Sequence, residues 1–303
     1  QNWAGQRNVR DLAVAPDVGS LWLATGGGIL RWYPRTKRFS RFGSEHGLPG
    51  NAVSAVAVDG RGQVWAAPDA GGLYHFSGER WLRCSLEHGR DRVPLTLTVD
   101  RDGLLWAGTQ DGILALDERG KERRFLPFEA ATLPRAMTVT GTGLVCLCNA
   151  QGLFVLDGNG QVGQLGRQPT LLTLALQGSV LWIGKIDGLV SYHLQTREVL
   201  SAPAWPSGPV TALVPLSDGV LAACGGQIGA AIKDTWQPVT SLGKGQQIRR
   251  MVLHHDPDSP ETALLWLATA DDLVRVDVTG GHAAPWRTEH PPDLVTGHGV
   301  AEP

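Results

Sequence analysis

The chain has 303 residues, with 27 Lys and Arg set against 29 Asp and Glu, for a formal net charge of −2. That balance gives no general pull toward nucleic acid or an anionic membrane surface, and neither is expected as a partner. Hydrophobic residues make up 42% of the chain, enough for a substantial core, but no apolar run is long enough to mark a membrane span, so direct insertion is not expected. The 39 glycines point instead to many tight turns.

Residues 1–7 read as an N-terminal extension in which Trp3 is available to pack on a neighbouring repeat. From residue 8 one pattern recurs. Repeat one (8–50) has an inner strand with Val9, Leu12 and Val14, a second strand Leu21-Trp22-Leu23-Ala24-Thr25, a third from Ile29 to Trp32 and a fourth from Phe39 to Phe42. Repeat two (51–94) follows with Val53, Trp65, Leu73 to Phe76 and Trp81 to Cys84, and repeat three (95–134) with Leu97, Trp106, Ile113 to Leu116 and Phe125. Repeat four (135–170) places Cys146 where its predecessors carry tryptophan. Repeat five (171–209) restores Trp182, repeat six (210–247) has Leu221 and Trp236, and repeat seven (248–286) has Trp266 and closes at Trp286. Residues 287–303, proline-containing and without periodicity, read as a tail or linker.

Apolar alternation bounded by Gly, Asn, Asp and Pro turns predicts four short antiparallel strands in each repeat. The central positions 22, 65, 106, 146, 182, 221 and 266 lie 36 to 45 residues apart. Four-stranded units at this period are the pattern of blades set around a channel. The expected fold is all-β, a seven-bladed β-propeller with four antiparallel strands per blade, in one domain over residues 8–286. Each repeat holds its own fourth strand, so closing the ring needs no long swapped strand. A blade must bury both faces, and Trp22, Trp65, Trp106, Trp182 and Trp266 are therefore expected between blades rather than around a ligand.

The repeated residues resemble the two-component regulator propeller, a sensor-domain family of bacterial hybrid histidine kinases and related proteins. The resemblance rests on Leu21-Trp22-Leu23-Ala24-Thr25 with Gly28-Ile29-Leu30-Arg31, on the junction Gly47-Leu48-Pro49-Gly50-Asn51, and on Leu105-Trp106-Ala107-Gly108-Thr109 with Asp111-Gly112-Ile113. It spans roughly residues 8–286 and implies a non-enzymatic ligand-sensing or protein-interaction module, often periplasmic, within a signalling or regulatory assembly. It brings no shared catalytic set and no cofactor.

Cys84, Cys146, Cys148 and Cys224 lack the Cys-x-x-Cys spacing of a structural zinc site and are expected as buried free thiols. Such thiols mildly favour a reducing compartment. The adjacent His254 and His255 point to opposite sides of a strand, and Asp256 completes no recognised ligand spacing, so no metal site is expected.

In a propeller the loops before the inner strands and those after the second strands meet on one rim. Aligning the inner strands puts Arg10, Ser54, Arg135 and Arg249 at near-equivalent positions, with Asp11 and Arg250 beside two of them, while Lys185 and Asp187 lie in a turn after a tryptophan strand. These charges read either as solvated turn residues in local salt bridges or as a rim that binds a small molecule or a protein partner. In the second case Arg10, Arg135, Lys185, Asp187 and Arg249 are the ligand-binding candidates, suited to a carboxylate, a phosphate or an acidic loop. A metal-assisted lyase is the alternative, with His46, His88 and His255 as candidates if they converge with carboxylates on one rim.

Overall fold

The computed structural model describes residues 8–15, 19–88, 93–128, 134–166, 170–200, 207–232, 235–242, 246–256, 259–269, 273–279 and 288–289. Residues 1–7, Trp286 and most of 287–303 lie outside that set. The described strands form seven sheets, each of four sequence-consecutive antiparallel strands. The inner strands are Val9–Val14, Val53–Val58, Thr96–Val99, Ala136–Val139, Leu171–Gln177, Val210–Pro215 and Arg250–Asp256. Each touches the inner strand of the next blade, and Val9–Val14 also contacts Arg250–Asp256, so the ring is closed.

Burial follows position within a blade. In blade 1 the second strand, Leu21–Thr25, is buried at every residue because both of its faces are covered, whereas the outer strand, Arg38–Phe42, is mostly exposed. The blade interfaces hold seven apolar clusters, and the central residue of each blade packs toward the next one. Trp22 lies between blades 1 and 2, Trp65 between 2 and 3, and Trp106 between 3 and 4. Trp182 and Leu221 fill the two interfaces around blade 6, and Trp266 packs against Val9 and Leu21 across the seam between blades 7 and 1. Between blades 4 and 5 the place is taken by Cys146. The tryptophans are therefore packing residues.

Four of the hairpin turns share one chemistry. Asp59 Oδ1 accepts hydrogen bonds from the backbone N–H of Arg61 and Gln63, both at 2.9 Å, and Asp100, Asp117 and Asp157 do the same two and four residues ahead. The carboxylate closes the turn, and a glycine at positive φ, such as Gly62 at 83°, lets the chain reverse. The outer strand of blade 7 is Thr288–Glu289, two residues beyond the boundary at 286 that the spacing predicts. The four cysteines are free and buried.

Candidate functional site

The rim is built by a repeated backbone irregularity. In blades 1, 2, 5 and 6 the pairing of inner and second strands slips by one residue, between Val9 and Asp11, Val53 and Ala55, Leu171 and Thr173, and Val210 and Ala212. The extra residue is a β-bulge, which turns its side chain out of the sheet's alternation. It falls on Arg10, Ser54, Leu172 and Thr211. Arg135 and Arg249 hold the matching place in blades 4 and 7, where their N–H groups donate to the carbonyls of Cys148 and Ala268, each at 2.8 Å.

Four of these side chains, Arg10, Arg135, Thr211 and Arg249, reach forward to the following blade, while Ser54 bonds within its own. Arg10 Nη1 pairs with Asp69 Oδ2 of blade 2 at 2.6 Å, and Ser54 Oγ donates to the other oxygen of that carboxylate at 2.5 Å. Arg135 Nη1 donates to the Leu171 carbonyl of blade 5 at 3.0 Å. Thr211 donates to the Ile248 carbonyl of blade 7, and Arg249 Nη1 to Asn8 Oδ1 at the start of blade 1. Next to this ring, Asp11 joins three blades: its carboxylate accepts from Arg250 Nε at 3.0 Å and from the Val56 N–H at 3.1 Å.

The five candidates thus fall into two groups. Arg10 and Arg249 lie at the seam of blades 7, 1 and 2, held by Asp69 and Asn8. Arg135 and Lys185 meet around Leu171, whose carbonyl takes the guanidinium and whose strand partner is Lys185. Lys185 Nζ pairs with Asp187 Oδ1 at 3.1 Å, and Asp187 is 65% exposed. Beside Lys185 opens an apolar cleft of about 150 Å³, lined by Leu153, Leu165, Ile183, Tyr192 and Val199. It lies at the interface where Cys146 replaces tryptophan. Among the described residues every exposed large apolar side chain except Leu82 lies on blades 4 and 5, with Ile186 at 53% and Val199 at 69%. The positive charges were readable as candidates in the sequence; the apolar cleft beside two of them was not.

Of the candidate histidines, His46 and His88 do not converge. His46 Nδ1 accepts from the Gly43 N–H within its own turn, and its ring packs edge-on against Phe42. His88 lies in the next inter-blade loop, 2.6 Å from Glu122 and stacked on Phe125. The His255 side chain is outside the described residues. Among the described residues no group of three His, Cys, Asp or Glu side chains is placed to hold a metal ion. Burial pushes the Cys146 thiol up to about 12, away from nucleophile chemistry.

Two rim and loop carboxylates carry a pH signature. Burial alone raises Glu122, but backbone N–H donors from His88 and Glu87 and the His88 ring outweigh it and hold the group below its ordinary value. Asp69 is lowered in the same way: burial is overcome by the Ser54 hydroxyl and the Arg10 guanidinium. A depressed folded pKa stabilises the fold above the ordinary carboxylate range, and the contribution is lost as pH falls through the folded value. The urea midpoint of the wild type is expected to fall on acidification from pH 5 to pH 3, and Glu122→Gln to show a shallower fall; equal slopes would separate Glu122 from acid stability.

No family model and no curated protein matches the sequence. Solved structures do match the fold. The extracellular domain of the hybrid two component system BT3049 from B. thetaiotaomicron is 16% identical with a TM-score of 0.70, the match covering 88% of this chain and 38% of that one. The chain therefore spans well under half of that neighbour. Virginiamycin B lyase from Staphylococcus aureus is 14% identical with a TM-score of 0.70, covering 89% of this chain and 94% of its own. YCF48 bound to D1 peptide is 16% identical with a TM-score of 0.68, covering 93% and 95%. At these identities the likeness is one of fold alone.

Proposed function

We propose that this propeller is a recognition module, the binding part of a signalling or regulatory assembly, and that it engages an acidic, partly apolar segment of a protein partner at the rim of blades 4 and 5. The observation that carries this reading is the placing of Arg135 and Lys185 on either side of Leu171, next to an apolar cleft and exposed Ile186 and Val199. Protein interfaces combine an apolar centre with a polar rim in which arginine is enriched. A cleft of about 150 Å³ is below the size of an ordinary small-molecule pocket and suits one apolar anchor side chain. The peptide-bound neighbour supports a propeller face as a platform for such a segment.

The test is fluorescence polarisation with labelled peptides that pair leucine or phenylalanine with glutamate. Wild-type affinity is expected to fall about tenfold in Arg135→Ala/Lys185→Ala, to fall again in Val199→Glu, and to weaken with added salt. Unchanged affinity in all variants, with folding verified by circular dichroism, would remove the rim of blades 4 and 5 from recognition.

A further inference from the structure

The opposite face of the ring carries a second pocket. It has a volume of about 480 Å³ and lies among the turns that follow the inner and third strands of blades 1 to 3. Trp22, Val64 and Phe76 form an apolar floor, Arg31 stands in the wall, and Asp59 and Glu118 bring carboxylates to it.

On the third strand Arg31 pairs in register with Trp22, as Arg275 does with Trp266 in blade 7, whereas blades 3, 5 and 6 place Ala115, Ser191 and Ala230 opposite their own central residues. A long cation here needs support, and it has three. The guanidinium carbon lies 4.8 Å from the Trp22 ring centroid and 4.7 Å from that of Tyr33, and Nε donates to the buried Ser20 hydroxyl at 3.2 Å. Among the described residues no carboxylate pairs with it. The other cation of the wall, Arg61, is already engaged by Glu118 at 2.9 Å.

We infer that this pocket binds a monoanionic carboxylate joined to an apolar body, with Arg31 as its anchor. Stacking on two rings and the bond from Nε fix the plane of the guanidinium, and a planar fork matches a carboxylate with two parallel hydrogen bonds. The apolar floor receives the rest of the ligand. A phosphate dianion fits less well, because Asp59, 2% exposed, carries an Oδ2 with no hydrogen-bond partner in the same wall. The volume is within the range of small-molecule sites. The same chemistry is offered by a free small carboxylate and by the C-terminus of a peptide.

Saturation-transfer NMR and calorimetry with benzoate test the assignment. Benzoate is expected to bind saturably with a Kd below about 1 mM, while the neutral isostere benzamide and inorganic phosphate bind at least about tenfold more weakly. Arg31→Gln should abolish benzoate binding, and Arg31→Lys, which keeps the charge without the fork, should retain a weakened affinity and guards against a simple loss of folding. A tripeptide ending in phenylalanine, free or amidated, separates the sources: preference for the free terminus assigns the site to chain ends, and binding of benzoate alone assigns it to small carboxylates. No saturation in the wild type, benzamide or phosphate binding as tightly as benzoate, or benzoate affinity unchanged in folded Arg31→Gln would overturn the inference.

Discussion

Replacing Trp106 by alanine is expected to lower stability by about 3 to 5 kcal/mol, the range for removing a large aromatic side chain from a closed core. Trp106 is 2% exposed and packs between blades 3 and 4 against Ile113, Leu126, Met137, Leu147 and Phe154. Its Nε1 also donates to Asp100 Oδ2 at 2.6 Å, while Asp100 Oδ1 closes the turn that leads into the tryptophan strand. The substitution therefore opens a cavity and unties a turn together. Trp106→Phe separates the two, since it keeps most of the volume and loses the N–H to a carboxylate, a change worth about 1.5 to 3 kcal/mol. Equilibrium urea unfolding measures both, and a loss below about 1 kcal/mol for Trp106→Ala would mean that the blade interface is not closed around this ring.

The second large effect is expected at Asp11. Asp11→Ala removes the acceptor shared by Arg250 of blade 7 and the Val56 N–H of blade 2, from a side chain that is 15% exposed. Hydrogen bonds to a charged group contribute about 1.5 to 3 kcal/mol each, but Arg250 is 34% exposed and water recovers part of its share. A net loss of about 2 kcal/mol follows. Asp11→Asn keeps an acceptor for Val56 and should cost about half as much. Limited proteolysis adds a second reading: cleavage within blade 1 or blade 7 should quicken in Asp11→Ala before cleavage in blade 4, and uniform quickening would argue against a role at the seam.

The strands were legible because their signal is local. Alternation and turn residues recur within each repeat, and blade 6 could be placed without a central tryptophan because Leu221 keeps the frame between its glycine turns. The Asp-Gly turns were equally plain, since one carboxylate and one glycine do the work within five residues. What a side chain touches across blades was not legible. Arg10 and Asp69 are separated by 59 positions, and Arg250 and Asp11 by 239. A period orders the blades around the ring but says nothing of rotamer or reach. The equivalence of Arg10, Ser54, Arg135 and Arg249 was visible by alignment; the bulge that aims two of them, Arg10 and Ser54, and the use of Leu171 as the common partner of Arg135 and Lys185, were not. Arg31 was hidden for a different reason. In a third strand a polar residue reads as the solvent side of the alternation, and only the register opposite Trp22, with Tyr33 two residues on, makes it a clamped cation.

The forward reach of Arg10, Arg135, Thr211 and Arg249, each holding the blade after its own, has a mechanical consequence. Within a sheet, neighbouring strands are joined by rows of backbone hydrogen bonds, but among the described residues blade 7 meets blade 1 through side chains: Trp266 on Val9 and Leu21, Arg249 on Asn8, and Arg250 on Asp11. Under tension applied between Asn8 and Glu289 this junction carries the load first, since no described strand crosses it. The ring would yield there like an unclasped bracelet, at low force, and the remaining blades would then peel away one after another from the two ends.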